Sequence, residues 1–247
     1  MNQVKQDIIS IKAFRAIDNL TTCEKYIEGH GRLLESYGVA KIVAPNHDWI
    51  QNPGAYVIIV ENITTGKTLG GTRIQLRSDK FPLPLEDAIG KMDKNVYDLI
   101  SEYAKNGTAE FCGLWNSREV AGMGIGSVFL VRAGVARAGV VIANALNIQS
   151  LFALCASYTL PIAKKAGFIV ETSVGDNGTF PYPKDDFKAI VAINKDLITL
   201  SYATVFERNE ITDLRNNPIQ TKIENGPRGE TTVFYDLKIN HLELNKI

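Results

Sequence analysis

The sequence predicts an α+β fold, and three stretches carry that prediction. From Glu110 to Leu146 it reads as a strand, a glycine loop and a long Ala/Gly-rich apolar helix. Ala55 to Asn62 and Thr68 to Arg77 read as two strands joined around Thr65-Gly66-Lys67, which is a hairpin signal. Leu151 to Ala156 is an apolar strand, followed by a short helix from Pro161 to Ala166. At 247 residues, the chain can form one large domain or two small ones. Apolar content of 45% and charged content of 22% are ordinary for a globular protein. A net charge of zero argues against general binding of nucleic acid or anionic membranes.

In chain order, Ile8 to Ala16 is a strand with Ile9, Ile11 and Ala13 on one face. Thr21 or Thr22 is expected to cap the helix that follows. That helix aligns Tyr26, Ile27, Leu33, Leu34 and Tyr37, is weakened by Gly29 and Gly31, and ends at Gly38. Ala44 to Gly54 is a loop in which His47-Asp48 reads either as turn chemistry or as an acid–base pair. The glycine pair Gly70-Gly71 implies a bulge or a close backbone approach. Arg73 then either reaches a ligand or faces solvent. Pro82 and Pro84 break the chain before helices at Leu85 to Met92 and Val96 to Lys105.

Ala138 to Ala163 is uncharged, but Asn144, Asn147, Gln149 and Ser150 interrupt it, so it reads as helix, turn and strand rather than a membrane span. Gly175 to Gly178 is a turn, and Ala189 to Asn194 is a short buried strand. Tyr202 to Ile223 is mixed and polar, and Ile219–Glu224 and Thr231–Ile239 flank a turn at Asn225–Gly229. No repeat and no low-complexity linker appears. The expected organisation is one domain over residues 1–200 with an extension, 201–247, packed on it. That extension would close over the site or make a subunit contact, giving a homodimer.

Cys23, Cys112 and Cys155 are odd in number and unpatterned, as expected of reduced, inert thiols in a cytoplasmic protein. The amino terminus lacks a basic segment followed by a long apolar run, so no signal peptide is expected. With three histidines, no HExxH and no paired cysteines, no metal site is predicted.

The chemistry concentrates in the loop. Gly122, Gly124 and Gly126 remove the Cβ atoms that would hold a ligand off the backbone. A helix starting directly after them, at Ser127, presents free N–H groups and the positive end of its dipole. That arrangement suits a phosphate. Val120 to Val170 contains no Asp or Glu; its charges are Arg132, Arg137, Lys164 and Lys165. A nucleoside-triphosphate loop is excluded because no Lys follows in place. A dinucleotide fingerprint, and with it a nicotinamide-dependent oxidoreductase, is disfavoured. Ser127 stands at the third glycine, and no acid follows before Glu171.

Ala121-Gly122-Met123-Gly124-Ile125-Gly126 resembles the pyrophosphate loop, [QR]xxGx[GA], of the GNAT superfamily of acyl-CoA N-acyltransferases, with Ala121 at the Gln/Arg position. Gly167-Phe168, where many of these proteins open the sixth strand, strengthens the match. The resemblance spans about residues 8 to 200 and implies a mixed central sheet flanked by helices. Gly70-Gly71-Thr72-Arg73 is also similar to the G-x-x-R of acyl-homoserine-lactone synthases, which share that fold. Glu110 matches the Glu of their E-x-x-R, while Gly113 replaces its Arg.

The resemblance implies acetyl-CoA or another acyl-CoA as cosubstrate and a small-molecule or protein amine as acceptor. Loop amides from Ala121 through Gly122, Met123, Gly124, Ile125 and Gly126 to Ser127 would hold the pyrophosphate. Backbone N–H near Leu114, Trp115 and Asn116 would polarise the thioester. Glu110 would serve as base, Tyr158 would protonate the thiolate and Arg73 would bind substrate. Ala163 stands where many members carry that Tyr. Two alternatives stay open. One is a non-catalytic acyl-CoA-binding protein, favoured by Ala121 and Ala163. The other is a lactone-synthase-like transferase using acyl-carrier protein.

Overall fold

The computed structural model describes residues 8–43, 47–117, 120, 127–226 and 229–239. Ten strands form one mixed sheet among them. β1 (Ile8–Arg15) pairs antiparallel with β2 (Ala55–Asn62), and β2 turns back into β3 (Thr68–Leu76). The Asn62 side chain closes that hairpin by accepting the Thr64 and Thr65 N–H groups at 2.9 and 3.0 Å. β3 pairs antiparallel with β4 (Thr108–Asn116), and β4 runs parallel to β5 (Ser150–Ala156). β5 pairs antiparallel with β8 (Lys188–Asn194), which also carries the short β6 (Ile169–Val170) and β7 (Thr179–Pro181). At the other edge, β10 (Gly229–Asp236) runs parallel to β1 and holds β9 (Ile219–Gly226).

Both faces of the sheet are covered, so its central strands are apolar on both sides. Ile58 and Val60 face α5 (Ser127–Ala145) and α7 (Val205–Asn216) in one core, which includes Val135, Ile142, Ile211 and Tyr235. Val57 and Ile59, one residue out of phase, pack with Cys23 and Tyr26 of α1 (Leu20–Ser36) and with Trp49 and Trp115. Phe152, Val191 and Ile193 pack against α3 (Pro84–Ile89) and α4 (Asn95–Ala104) in a third cluster. α2 (Ala40–Val43) and α6 (Leu160–Lys165) are short.

Two expectations need correction, the cap of the first helix and the segment after Tyr202. Asn19, not Thr21 or Thr22, caps α1, its side chain accepting the Thr22 N–H at 3.1 Å. Gly29 has a packing role: a Cβ there would lie 2.0 Å from the Trp115 ring, so glycine lets the helix sit against β4. The mixed segment after Tyr202 contains a full helix, α7, whose cap Thr204 accepts the Glu207 N–H at 3.3 Å. Arg137 is one of the four charges between Val120 and Val170. Buried on α5, it binds Glu207 at 2.5 and 3.1 Å and Glu224 at 2.8 Å, and Tyr235 donates to Glu224 at 2.9 Å. Desolvation works against the charged guanidinium, but the two carboxylates outweigh it and raise its pKa. This buried cluster ties α7 and β9 to α5. Among the described residues no helix is long and apolar enough to cross a membrane.

Candidate functional site

The site is built by a fault in β4. Thr108, Ala109 and Glu110 pair with Ser150, Leu151 and Phe152 of β5, and the pairing goes no further. On the other side of β4, Arg73 pairs with Cys112 but Gly71 pairs with Trp115. Thr72 therefore stands opposite two residues, Gly113 and Leu114, which is a β-bulge. Gly113 occupies it at φ +62°, in the left-handed region. The Tyr26 hydroxyl donates to the Gly113 carbonyl at 2.8 Å, and a Cβ on residue 113 would come within 2.1 Å of that hydroxyl oxygen. Past the bulge the alternation slips by one. Leu114 turns to the α5 side and Trp115 to the α1 side.

A cavity of about 1170 Å³ opens where β4 and β5 part. Its walls come from both faces of the sheet. Phe111, Leu114, Ala136, Ile162, Ala163 and Phe168 line it on the α5 side, and Tyr26, His30, Trp49, Arg73 and Glu110 on the other. The cavity thus passes through the sheet. The first wall is apolar, with Ala136 and Ala163 as its small members, whereas the second holds most of its titratable groups.

That second wall is set by register. Arg73 and Gln75 of β3 stand opposite Cys112 and Glu110 of β4, so all four share a face. Glu110 is 3% exposed, and its Oε2 accepts the Leu85 N–H at 2.7 Å. Burial pushes its pKa up to about 8, against the pull of the Leu85 bond and of Arg73. The Arg73 guanidinium carbon lies 4.5 Å from the Trp49 ring centroid. Its Nε is buried without an acceptor. His30 stacks on Tyr26 at 6.0 Å and 13°, and burial, with Arg73 and His47 nearby, lowers its pKa to about 4. Burial likewise pushes the Cys112 thiol up to about 11.

Of the residues singled out in the sequence, Arg73, Glu110, Leu114 and Tyr158 come together around this cavity. Arg73 lies in its wall rather than on an outer solvent face. Tyr158 stands at the rim, 57% exposed. The Trp115 and Asn116 side chains do not line it; Trp115 packs on Gly29. The loop Ala121–Gly126, on which the pyrophosphate reading rests, lies outside the described residues, and α5 begins at Ser127. Among the described residues no three His, Cys, Asp or Glu side chains gather as a metal-binding group. Tyr26, His30, Trp49, Gln75 and Cys112 line the cavity without having been assigned to the site from the sequence. The four-residue spacing of Tyr26 and His30 on α1 was the one available signal.

No protein-family model and no curated protein matches the chain. Among solved structures, the chain is similar to FeeM, an N-acyl amino acid synthase from uncultured soil microbes. Identity is 12%, coverage 76% of this chain and 91% of that one, and the TM-score 0.53. Two CoA-dependent acyl-homoserine lactone synthases also match at 14% identity. MesI does so over 84% of this chain and 95% of its own with a TM-score of 0.47. BjaI, solved with SAM and isopentyl-CoA, does so over 94% and 96% with a TM-score of 0.49. At these identities the likeness concerns fold alone, and it rests on the first of the three. The chain has the GNAT-like α+β fold, a mixed sheet with flanking helices, parted between β4 and β5.

Proposed function

We propose that the protein is an N-acyltransferase that moves an acyl group from a CoA thioester to an amine. The observation that carries this reading is the passage through the sheet at the Gly113 bulge. A pantetheine arm is a narrow thread of amides and methylenes. It fits a slot flanked by a strand edge whose backbone groups β5 does not use. Backbone donors along Leu114 to Asn116 would polarise the thioester carbonyl as it becomes an oxyanion. The loop from Ala121 to Ser127, at the start of α5, would hold the pyrophosphate.

In the reaction the amine nitrogen attacks the thioester carbon, the C–S bond breaks and the thiolate leaves. The ammonium proton must go to a base. Glu110 is that base in this reading, acting in its ionised form, which grows as pH approaches 8, but it lies three residues before the bulge, roughly 10 Å along an extended strand. His30 is nearer: its Cε1 lies 3.8 Å from the Cβ position of residue 113. The proton would therefore pass to Glu110 through water and the neutral His30 imidazole. Tyr158, at the rim, would return a proton to the thiolate.

The cavity exceeds the usual range for a drug-sized ligand. Its size and its apolar wall favour an acyl group longer than acetyl, such as one that reaches past Ala136 and Ala163.

A thermal-shift titration with CoA, acetyl-CoA and longer acyl-CoAs, paired with thiol release in the presence of amines, tests this. CoA species should raise the melting temperature, the shift should vanish in Gly124→Glu, and longer chains should outperform acetyl. Absence of both shift and thiol release at concentrations on the order of a millimolar would overturn it.

A further inference from the structure

β9 ends the sheet, and among the described residues no strand lies on its outer side. One hydrogen bond shows which of its backbone groups face outward. The Leu237 N–H donates to the Pro218 carbonyl at 2.8 Å. From there the ladder runs without a shift, from Asp236 opposite Ile219 to Gly229 opposite Gly226. In an antiparallel ladder, hydrogen-bonded pairs alternate with non-bonded ones. Gln220, Lys222 and Glu224 therefore bond β10, while Ile219, Thr221, Ile223 and Asn225 turn their N–H and C=O groups away from the sheet.

The side chains sort the same way. Gln220 and Lys222 reach Asp213 of α7 at 3.1 and 2.8 Å, and Glu224 accepts from Arg137 of α5 at 2.8 Å. The residues with outward backbone groups lie on the opposite face, uncharged and exposed, Ile219 at 53% and Ile223 at 62%. Monomeric sheets guard such an edge with a charge, a bulge, a proline or a very short strand. The charges on β9, Lys222 and Glu224, point to the helix side and are paired there. Its register has no bulge, and Pro218 lacks its N–H on the β10 side. The sheet's other end is blunted, since β6 and β7 have two and three residues.

We infer that β9 pairs antiparallel with β9 of a second copy of this chain, about a twofold axis at Thr221, so that one sheet runs through a dimer. The strand complements itself in that register. Thr221 meets the partner's Thr221, and on either side of the axis Ile219 meets the partner's Ile223. Each of these pairs exchanges two backbone hydrogen bonds, and the isoleucines cover one another. On the helix side Gln220 stands opposite the partner's Lys222, so no like charges face each other. Centring the axis on Lys222 would oppose two ammonium groups. Centring it on Ile223 would set Ile219 opposite position 227, past the end of the strand. This pairing does not depend on the acyl-transfer reading.

Sedimentation velocity on the full chain across the micromolar range, with amide hydrogen exchange read residue by residue, tests this. The wild type should sediment as a dimer. The N–H groups of Ile219, Thr221 and Ile223 should then exchange as slowly as those of Gln220 and Lys222. Thr221→Pro removes an outward N–H and no bond to β10. Ile223→Lys sets a charge against the partner's Ile219. Each substitution enters the interface twice and should raise the dimer dissociation constant about 10-fold or more, with the circular dichroism of the fold unchanged. If Thr221→Pro does not fold, Ile223→Lys reads the same quantity. A wild type that stays monomeric, or a dimer that neither variant weakens, would overturn the pairing. So would slow exchange of the outward N–H groups in a monomer, which would mean that the chain covers its own edge.

Discussion

Burial holds the Glu110 proton up to about pH 8, against an ordinary glutamate value of 4.5. Between those values the folded chain keeps a proton that the unfolded chain releases. The associated stabilisation is complete below about pH 4.5 and is lost as pH rises through about 8. Glu110→Gln has no such proton and can still accept from Leu85. Its melting temperature should therefore gain on the wild type steadily from pH 5 to pH 8.5, as calorimetry at several pH values would show. A constant gap would mean that Glu110 titrates normally. Glu110 and Arg73 were legible because a short motif around each resembles one in a known family. His30 and Trp49 were not. A histidine on an amphipathic helix and a tryptophan in a turn look like ordinary packing until the bulge brings Gly113 against α1.

At the scale of elements, the bulge in β4 decides whether the slot exists. Gly113→Ala places a Cβ on a left-handed backbone and against the Tyr26 hydroxyl. The backbone term alone is about 1–2 kcal/mol, and the collision adds to it. We expect the variant to melt several degrees lower and to lose acyl-CoA binding more than stability accounts for. Thermal shift with and without ligand separates the two effects. The sequence showed a glycine at this position but not the extra residue, because a bulge is a matter of register between two strands. The helix α7 carried a local signal, Thr204 three residues before Glu207, yet its apolar stripe is thin. It buries Ile211, Leu214 and Glu207, so part of its docking comes from an ion pair that periodicity cannot reveal.

Across the whole molecule, that ion pair sits in the cluster that joins the last third of the chain to α5. Removing Arg137 strands Glu207 and Glu224 as buried, unpaired carboxylates. Arg137→Met should cost about 3–5 kcal/mol, the range for breaking a buried pair, read as a lower urea midpoint. Arg137→Met combined with Glu207→Gln and Glu224→Gln should recover much of the loss, since no buried charge is then left over. No recovery would mean that the cluster acts by shape rather than charge. The antiparallel hairpin β2–β3 could be read from its turn. The parallel pairs β1–β10 and β4–β5 could not, because a long crossover leaves no local mark of which strands meet.

The pairing of Ile8 with Thr232 also sets an order of events during synthesis. β1 leaves the ribosome long before β10, with the rest of the sheet between them in the chain. Until β10 emerges, one edge of β1 has N–H and C=O groups with nothing to bond, on a strand that contains Ile9 and Ile11. A nascent chain in that condition offers a template to any neighbouring strand. The emergence of β10, rather than that of the cavity walls, is the moment at which this edge of β1 becomes closed to other chains.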